Sequence, residues 1–416
     1  MSLKKKPVTG MKDILPQEME IRNYVMDLIK KTYASYGFVS METPCIEHIE
    51  NLSSKQGGEN EKLIFKILKR GEKLKLKEAQ SEADLVDGGL RYDLTVPLAR
   101  YYANHVSELP SPFKALQMGN VWRADRPQRG RFRQFMQCDI DILGEPSALA
   151  EIELIQATSS LVGQLGFETF TVRINDRRIL KAMAAFSGFP EESYDTVFII
   201  LDKMDKIGMD GVRNELTKEG FSASAIDQYL GLFEKVTPDL SGIRYLQTSL
   251  AGSLDESVAQ NLMTIVESVE TVKTAECQIV FDPTLVRGMS YYTGTIFEIS
   301  IDGFGGSVAG GGRYDEMIGR FAGTQTCACG FSLGFERLVM LLMERNFQGF
   351  QKKEKVAYLL EKGISQDKLI AVFQEAQKER EAGHVVSINI MKKNKKFQKE
   401  QLTEQGYSEI KEFFCD

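Results

Sequence analysis

Residues 17–36 place Ile21, Val25, Leu28, Ile29 and Tyr33 at helical spacing, with Pro16 in front and Gly37 just past the end. That spacing and punctuation predict an amphipathic helix. An extended piece, Val39–Glu47, follows with Pro44 inside it. Residues 63–76 alternate loosely and carry charges, which predicts an exposed hairpin, while Leu90–Thr95 reads as a short strand and Val96–Ala103 opens a helix. From Phe113 to Leu143 the pattern is strand, loop, strand: Gln117–Arg123 is extended, Ala124–Gly130 is an Arg/Pro/Gly loop, and Arg131–Leu143 alternates with period two. Ser147–Leu165 reads as a helix stopped by Gly166, and Thr169–Ile174 as a strand with Phe170, Val172 and Ile174 on one face.

Residues 176–270 change character. They are helical in pattern, broken at Pro190, Gly208, Gly220 and Pro238, and carry no cluster of reactive side chains. A helical insertion fits that description. Strands resume at Cys277–Phe281 and Thr295–Ile301, then comes a glycine-dense stretch from Gly303 to Gly312, and a buried helix begins near Phe335. Beyond the polar linker Asn346–Glu354 the chain alternates strand and helix: Lys355–Leu360, Gln366–Glu381, Val385–Ile390, Lys395–Gln405. The expected fold class is therefore α+β. A mixed, mainly antiparallel sheet flanked by helices forms a core from 1–175 and 271–345, with a helical insertion at 176–270 and a small α/β domain at 355–416. Few βαβ units are available and no G-x-x-x-x-G-K-[ST] loop occurs, so a nucleotide here must be held by arginines and not by a glycine cradle.

A chain of 416 residues with 43% apolar and 26% charged side chains buries a large core, which excludes disorder as a whole-chain state. No apolar run approaches the roughly 18 residues of a membrane span. The basic start has no apolar segment behind it and predicts no secretory signal. Six scattered cysteines predict reduced thiols in a cytoplasmic protein. With only three histidines, chemistry that needs a cluster of imidazoles is poorly supplied, and Cys327-Ala-Cys329, with no second pair, falls short of a four-ligand zinc site. Gly330-Phe-Ser332-Leu-Gly334 fits the hydrolase nucleophile elbow, with Asp367 and His384 following in order. That reading needs a parallel sheet before it and a sizeable remainder after it, and the chain offers neither.

The net charge of −6 argues against non-specific nucleic-acid coating, yet Asn120–Gln137 holds Arg123, Arg126, Arg129, Arg131 and Arg133 against one Asp125, a local +4. Strand period puts Arg131, Arg133, Phe135, Gln137, Asp139 and Asp141 on one face and Met136, Cys138, Ile140 and Ile142 on the other. The second face is packed. The first is poor core but a good bed for a polyphosphate beside an aromatic base, because Arg grips phosphate bidentately and Phe offers a stacking plane. Three further segments point the same way: Arg287-Gly-Met-Ser-Tyr291-Tyr292, Gly310-Gly-Gly-Arg-Tyr314-Asp315, and Gly330–Leu338 with Arg337 near a helix start.

Taken together these segments resemble the signature motifs of class II aminoacyl-tRNA synthetases, and within them the histidyl-tRNA synthetase family. Thr43-Pro44-Cys-Ile-Glu47 resembles motif 1, Arg123–Phe135 motif 2 and Gly330–Leu338 motif 3; the Arg287 and Gly310 segments resemble the two stretches peculiar to the histidine enzyme. Leu90–Arg100 matches a further family stretch, and the likeness runs from about Gly10 to Arg345.

The resemblance implies a ligase that activates L-histidine with ATP and transfers it to the 3′ end of histidine tRNA. It implies a histidine site of Asp93, Leu94, Thr95, Arg123, Gln137, Asp141, Arg287, Tyr291 and Tyr292. Asp93 and Thr95 would take the ammonium, and Asp141 with the tyrosines the imidazole. ATP would lie on Arg123, Asp125, Arg131, Phe135 and Arg337, accompanied by Mg²⁺, with no metal held by the protein. Arg123 and Arg287 would be the catalytic residues, gathering charge at the α-phosphate where other enzymes of the class place a metal ion. Arg126, Gln128 and Arg129 would meet the tRNA acceptor end, and motif 1 would build a homodimer. The segment 355–416 resembles a shortened anticodon-binding domain, ending before the expected closing strands, with five lysines from Lys392 to Lys399 able to meet phosphates. Two other readings stand beside this one: a catalytically silent paralogue serving as regulatory subunit of ATP phosphoribosyltransferase, and a tRNA-sensing module of the kind fused to kinases. The first would have shed the arginines and tyrosines retained here, and the second needs a kinase.

Overall fold

A computed structural model describes residues 3–53, 62–286, 291–347, 349 and 354–415. The chain forms two compact units, Met1–Asn346 and Phe347–Asp416. The first is built on an eight-stranded sheet whose strands are β1 (Val39–Met41), β5 (Phe113–Trp122), β6 (Gln134–Leu143), β11 (Ala328–Leu333), β10 (Ser307–Arg313), β9 (Thr295–Ile301), β7 (Phe170–Asp176) and β8 (Cys277–Phe281), in that spatial order. The outer pairs β1/β5 and β7/β8 run parallel, and every ladder between them is antiparallel.

Helices cover this sheet for reasons visible in their spacing. In α1 (Pro16–Ser35), Val25, Ile29 and Tyr33 recur every fourth residue and are fully buried. Leu149–Gln164 forms a helix that buries Leu154, Ile155, Leu161 and Val162. The helix Phe335–Glu344 buries Phe335, Leu338, Val339 and Leu342, an i, i+3, i+4, i+7 stripe. Between β7 and β8 the chain is helical, from Arg177–Phe186 to Glu256–Val272, so this stretch is an enlarged crossover between two parallel neighbours. Arg313, at the end of β10, is anchored by a bidentate pair with the fully buried Glu151, both contacts 2.7 Å, and also donates to the carbonyls of Glu145 and Ser147.

Three expectations need correction. The strand near residue 90 is β4 (Val86–Leu90), not Leu90–Thr95, because Asp93 turns the chain and its carboxylate accepts the Val96 N–H at the start of the helix Thr95–His105. Residues 63–76 do not pair with one another: β3 (Lys66–Leu68) joins β4 and β2 (Ile46–His48) in a small antiparallel sheet of order β2-β4-β3. A closing strand, β14 (Glu409–Phe413), follows the last helix and pairs parallel with β12 (Lys355–Leu360), which pairs on its other side with β13 (Val385–Ile390). Its Glu-Ile-Lys-Glu-Phe pattern hides it, since an edge strand carries charges that an alternation test rejects. Val356, Tyr358, Leu360, Val372 and Ala376 give the second unit its own core.

Replacing Glu151 by Ala strips the buried Arg313 guanidinium of its bidentate partner, leaving the Glu145 and Ser147 carbonyls and Asp315 at 3.5 Å, and is expected to cost about 3 kcal/mol. The check is the urea midpoint at neutral pH; a loss under about 1 kcal/mol would show the pair to be dispensable.

Candidate active site

The first unit holds a cavity of about 350 Å³ between β6, β10, β11 and the start of the Thr95–His105 helix. Asp139 and Asp141 reach it because β6 alternates: Cys138, Ile140 and Ile142 face the packed side, and the aspartates face the cavity. Room for Asp141 comes from Gly330, its direct partner in the β6/β11 ladder, where a Cβ would stand 2.0 Å from Asp141 Oδ1. Asp93 enters from the turn before the helix.

All three carboxylates are nearly inaccessible, at 2–4% exposure. Burial pushes the Asp93 carboxyl up to about 6, partly offset by the Val96 N–H, and the Asp141 carboxyl up to about 7, offset by a hydrogen bond from Tyr314 Oη at 2.6 Å. Burial and then the neighbouring Asp141 raise Asp139 well above the usual carboxylate range. Each of the two titratable acceptors nearest the helix and Tyr314 has one oxygen pinned and one open: Asp93 Oδ2 and Asp141 Oδ2 are buried with no hydrogen-bond partner. Gln137 repeats the arrangement, with Nε2 donating to Ser332 Oγ at 3.1 Å and Oε1 buried and open. Three orphaned acceptors therefore meet one cavity, and they call for a ligand carrying several N–H donors.

Arginines and aromatic rings line the other side. The Arg123 guanidinium lies 5.2 Å from the Phe135 ring centroid and donates to the Tyr92 carbonyl at 2.9 Å. Arg131 is paired with Asp125 at 3.0 Å, and Arg337 donates to the Ser307 carbonyl. Tyr291 and Tyr292 sit with ring centroids 4.7 Å apart, and Tyr291 lies edge-on to Tyr314 at 6.0 Å. Glu336 receives both amino groups of Arg22, at 2.6 and 2.9 Å, and also the Met136 N–H, which ties the cavity floor to α1.

Of the residues expected from sequence, Asp93, Thr95, Arg123, Asp125, Arg131, Phe135, Gln137, Asp141, Tyr291, Tyr292 and Arg337 line the cavity. Leu94 does not; it is buried and its carbonyl accepts the Gln117 amide. Arg287 lies outside the described residues. Arg133 is not on the face assigned to it, because regular strand pairing begins at Gln134; its guanidinium donates to the Asp125 carbonyl and its stem packs on Gly10. Met136, assigned to the packed side, reaches the cavity wall. Arg126, Gln128 and Arg129 sit exposed on the connecting loop, where Gln128 and Arg131 form a tight bridge and Arg129 pairs with Glu344. Tyr314, Ser332 and Glu336 were missed as site residues. Sequence offered Tyr314 only as part of a glycine-rich segment, and nothing in it marked the contact with Asp141.

Among the described residues no cluster of His, Cys, Asp or Glu is placed to hold a metal ion. The Cys327–Cys329 pair is free of disulfide. Ser332 contacts Asp139 and Gln137 and no imidazole lines the cavity, while His384, in the second unit, is engaged with Glu379 at 2.6 Å. The nucleophile-elbow reading has no support from these contacts.

A six-strand antiparallel centre with an Arg/Phe hairpin, a glycine-rich strand and a strand-to-helix arginine defines a class II aminoacyl-tRNA synthetase core. A sequence model of the family described as histidyl-tRNA synthetase matches residues 10–338, and the chain belongs to that family. It is 47% identical over 345 residues to a histidine–tRNA ligase of Leifsonia xyli subsp. xyli, covering 81% of this chain and 80% of that protein. The crystal structure of histidyl-tRNA synthetase from Nostoc sp. PCC 7120 superposes with a TM-score of 0.79 at 27% identity, over 97% of this chain and 90% of that one. A structure from Bacillus halodurans C titled ATP phosphoribosyltransferase regulatory subunit/histidyl-tRNA synthetase superposes with a TM-score of 0.80 over 100% of this chain and 99% of that one. At 21% identity it shows a shared fold only.

The pKa directions carry a stability prediction. An unfolded aspartate titrates near 3.9, so a carboxyl held at about 7 costs nothing below pH 4. Its destabilisation grows from pH 4 to 7 and is complete above. Asp141→Asn should therefore raise the melting temperature of the ligand-free protein at pH 8 and change it less at pH 5. Melting curves at the two pH values check this; an equal shift at both would deny the buried charge.

Proposed function

We propose that this cavity is where the chain activates L-histidine with ATP to histidyl-adenylate before transferring it to histidine tRNA. The chain is a histidine–tRNA ligase by family and by its similarity to proteins of that name. Curated relatives do not favour the regulatory-subunit reading. The observation that carries the assignment of the site is the set of three buried, unpartnered acceptors, Asp93 Oδ2, Gln137 Oε1 and Asp141 Oδ2. L-Histidine supplies an ammonium and a ring N–H, and an isostere without the ring donor would leave Asp141 unsatisfied.

In this reading Asp93 and Thr95 hold the ammonium, Asp141 the imidazole N–H with Tyr291 and Tyr292 around the ring, and Gln137 a third donor. Leu94 contributes no cavity contact and serves through its backbone. ATP enters as its magnesium complex, with the adenine against Phe135 and the phosphates on Arg123, Arg131 and Arg337. Asp125 orients Arg131. Arg123 and Arg287 would supply the positive charge at the α-phosphate while the histidine carboxylate attacks, so no protein nucleophile is needed. Arg126, Gln128 and Arg129 are exposed and suited to the tRNA acceptor end. We assign the catalytic core to 1–175 and 271–345, an insertion to 176–270, and an anticodon-binding-like role to 355–416.

A homodimer through motif 1 is supported by β1, an edge strand of the large sheet, and by the exposed apolar Val39 and Ile46, at 52% and 55%. No helix among the described residues is long and apolar enough to cross a membrane; the charging of tRNA for protein synthesis is what would place the chain in the cytoplasm.

Arg287→Ala should slow adenylate formation by at least about a hundredfold, the scale of losing one preorganised transition-state donor. Histidine-dependent pyrophosphate–ATP exchange measures it, and a rate within tenfold of the native protein would remove Arg287 from the catalytic pair. Deleting residues 350–416 should spare that exchange, since every cavity residue lies in the first unit. It should also lower tRNA affinity and flatten its dependence on salt by roughly one charge per lost phosphate contact. Unchanged tRNA binding would remove the second unit from recognition.

A further inference from the structure

We propose that Ser332 and Asp139 are positioning residues that fix the Gln137 amide with its carbonyl oxygen toward the bound amino acid; this rests on the histidine-site reading above. Ser332 lies in the segment that resembles motif 3 but was given no role there, and its hydroxyl is engaged on both sides. It donates to Asp139 Oδ1 at 2.5 Å and accepts from Gln137 Nε2 at 3.1 Å. Ser332 and Asp139 are direct partners in the β6/β11 ladder, and Gln137 lies two residues before Asp139 on the same strand face. Backbone register thus sets the chain Gln137–Ser332–Asp139.

The chain has a direction. A hydroxyl carries one proton, and when Asp139 is ionised Ser332 commits it to that carboxylate, so only a lone pair remains for Gln137. The amide must then present its N–H to the serine. A turned amide would set two acceptors against each other with no proton between them. Gln137 Oε1 consequently faces the cavity, buried and open beside Asp93 Oδ2 and Asp141 Oδ2. A glutamine free to rotate could offer either a donor or an acceptor. Here it offers only an acceptor, and the site rejects a ligand that places an acceptor at that point. Asp139 acts on the amide through Ser332.

The test is a double-mutant cycle read by histidine-dependent pyrophosphate–ATP exchange. Ser332→Ala is expected to raise the KM for histidine about tenfold, the size of one net hydrogen bond, with the KM for ATP within about twofold. In a Gln137→Ala background the same change is expected to raise it less than twofold further, since there is no amide left to orient. Asp139→Asn, which can offer an N–H to the serine and release its proton toward Gln137, is expected to follow the same pattern in both backgrounds and stands in should Ser332→Ala fail to fold. Equal losses in the two backgrounds, or equal rises in both KM values, would make the pair merely structural and overturn the proposal. If Gln137→Ala raises the histidine KM and Ser332→Ala does not, the positioning role fails while the histidine site survives. If Gln137→Ala leaves the histidine KM unchanged, the site reading itself fails.

Discussion

The first unit is organised around three buried carboxylates that form no ion pair among the described residues, with the Arg123 charge only partly offsetting the effect of burial on Asp93 and Asp139. Asp93, Asp139 and Asp141 are each buried, and burial lifts all three above the ordinary carboxylate range. Folding pays for that arrangement elsewhere, with a close-packed helical and sheet core. The neighbours are chosen accordingly: Gly330 leaves space for Asp141, Tyr314 and Ser332 each satisfy one oxygen, and the Val96 N–H satisfies another. What remains is a set of acceptors that a cationic, N–H-bearing ligand would complete. The same low dielectric that makes them costly when empty makes them discriminating when filled.

On the opposite wall the arginines are held in the complementary way, each aimed by a neighbouring group. Arg123 is aimed by the Tyr92 carbonyl and the Phe135 face, Arg131 by Asp125, and Arg337 by the Ser307 carbonyl. A charged group already pointed at its target needs no reorganisation when phosphate charge develops, and that is the chief resource of a site without a nucleophile. The Arg22–Glu336 pair carries this order back to α1, so a helix distant in sequence stiffens the strand that bears Phe135 and Gln137.

Much of this was legible in the chain. The alternation from Gln134 to Leu143 separates Cys138, Ile140 and Ile142 from Asp139 and Asp141 because successive side chains of a strand must point to opposite faces. The helices Pro16–Ser35 and Phe335–Glu344 follow from apolar spacing and from their punctuation. Arg123, Phe135 and Arg337 were findable because guanidinium and aromatic groups in short motifs have few structural uses. Errors fell where local pattern is weak. The closing strand Glu409–Phe413 is polar because it is an edge, and residues 63–76 seemed a hairpin because their true partner, Val86–Leu90, lies beyond a long connection.

Sequence by itself determined which residues can form each element and which side chains are chemically fit for phosphate, ammonium and imidazole, since periodicity and functional groups are local properties. Only the tertiary structure decided which of them meet. Tyr314 reaches Asp141 across 173 positions and Ser332 reaches Asp139 across 193, and both contacts depend on β11 lying between β6 and β10. Arg133 leaves the face that period two assigned to it because the strand begins one residue later. Strand order and register are set by the packing of the whole sheet. A hydrogen bond of one ångström's tolerance therefore cannot be read from either of the segments that make it.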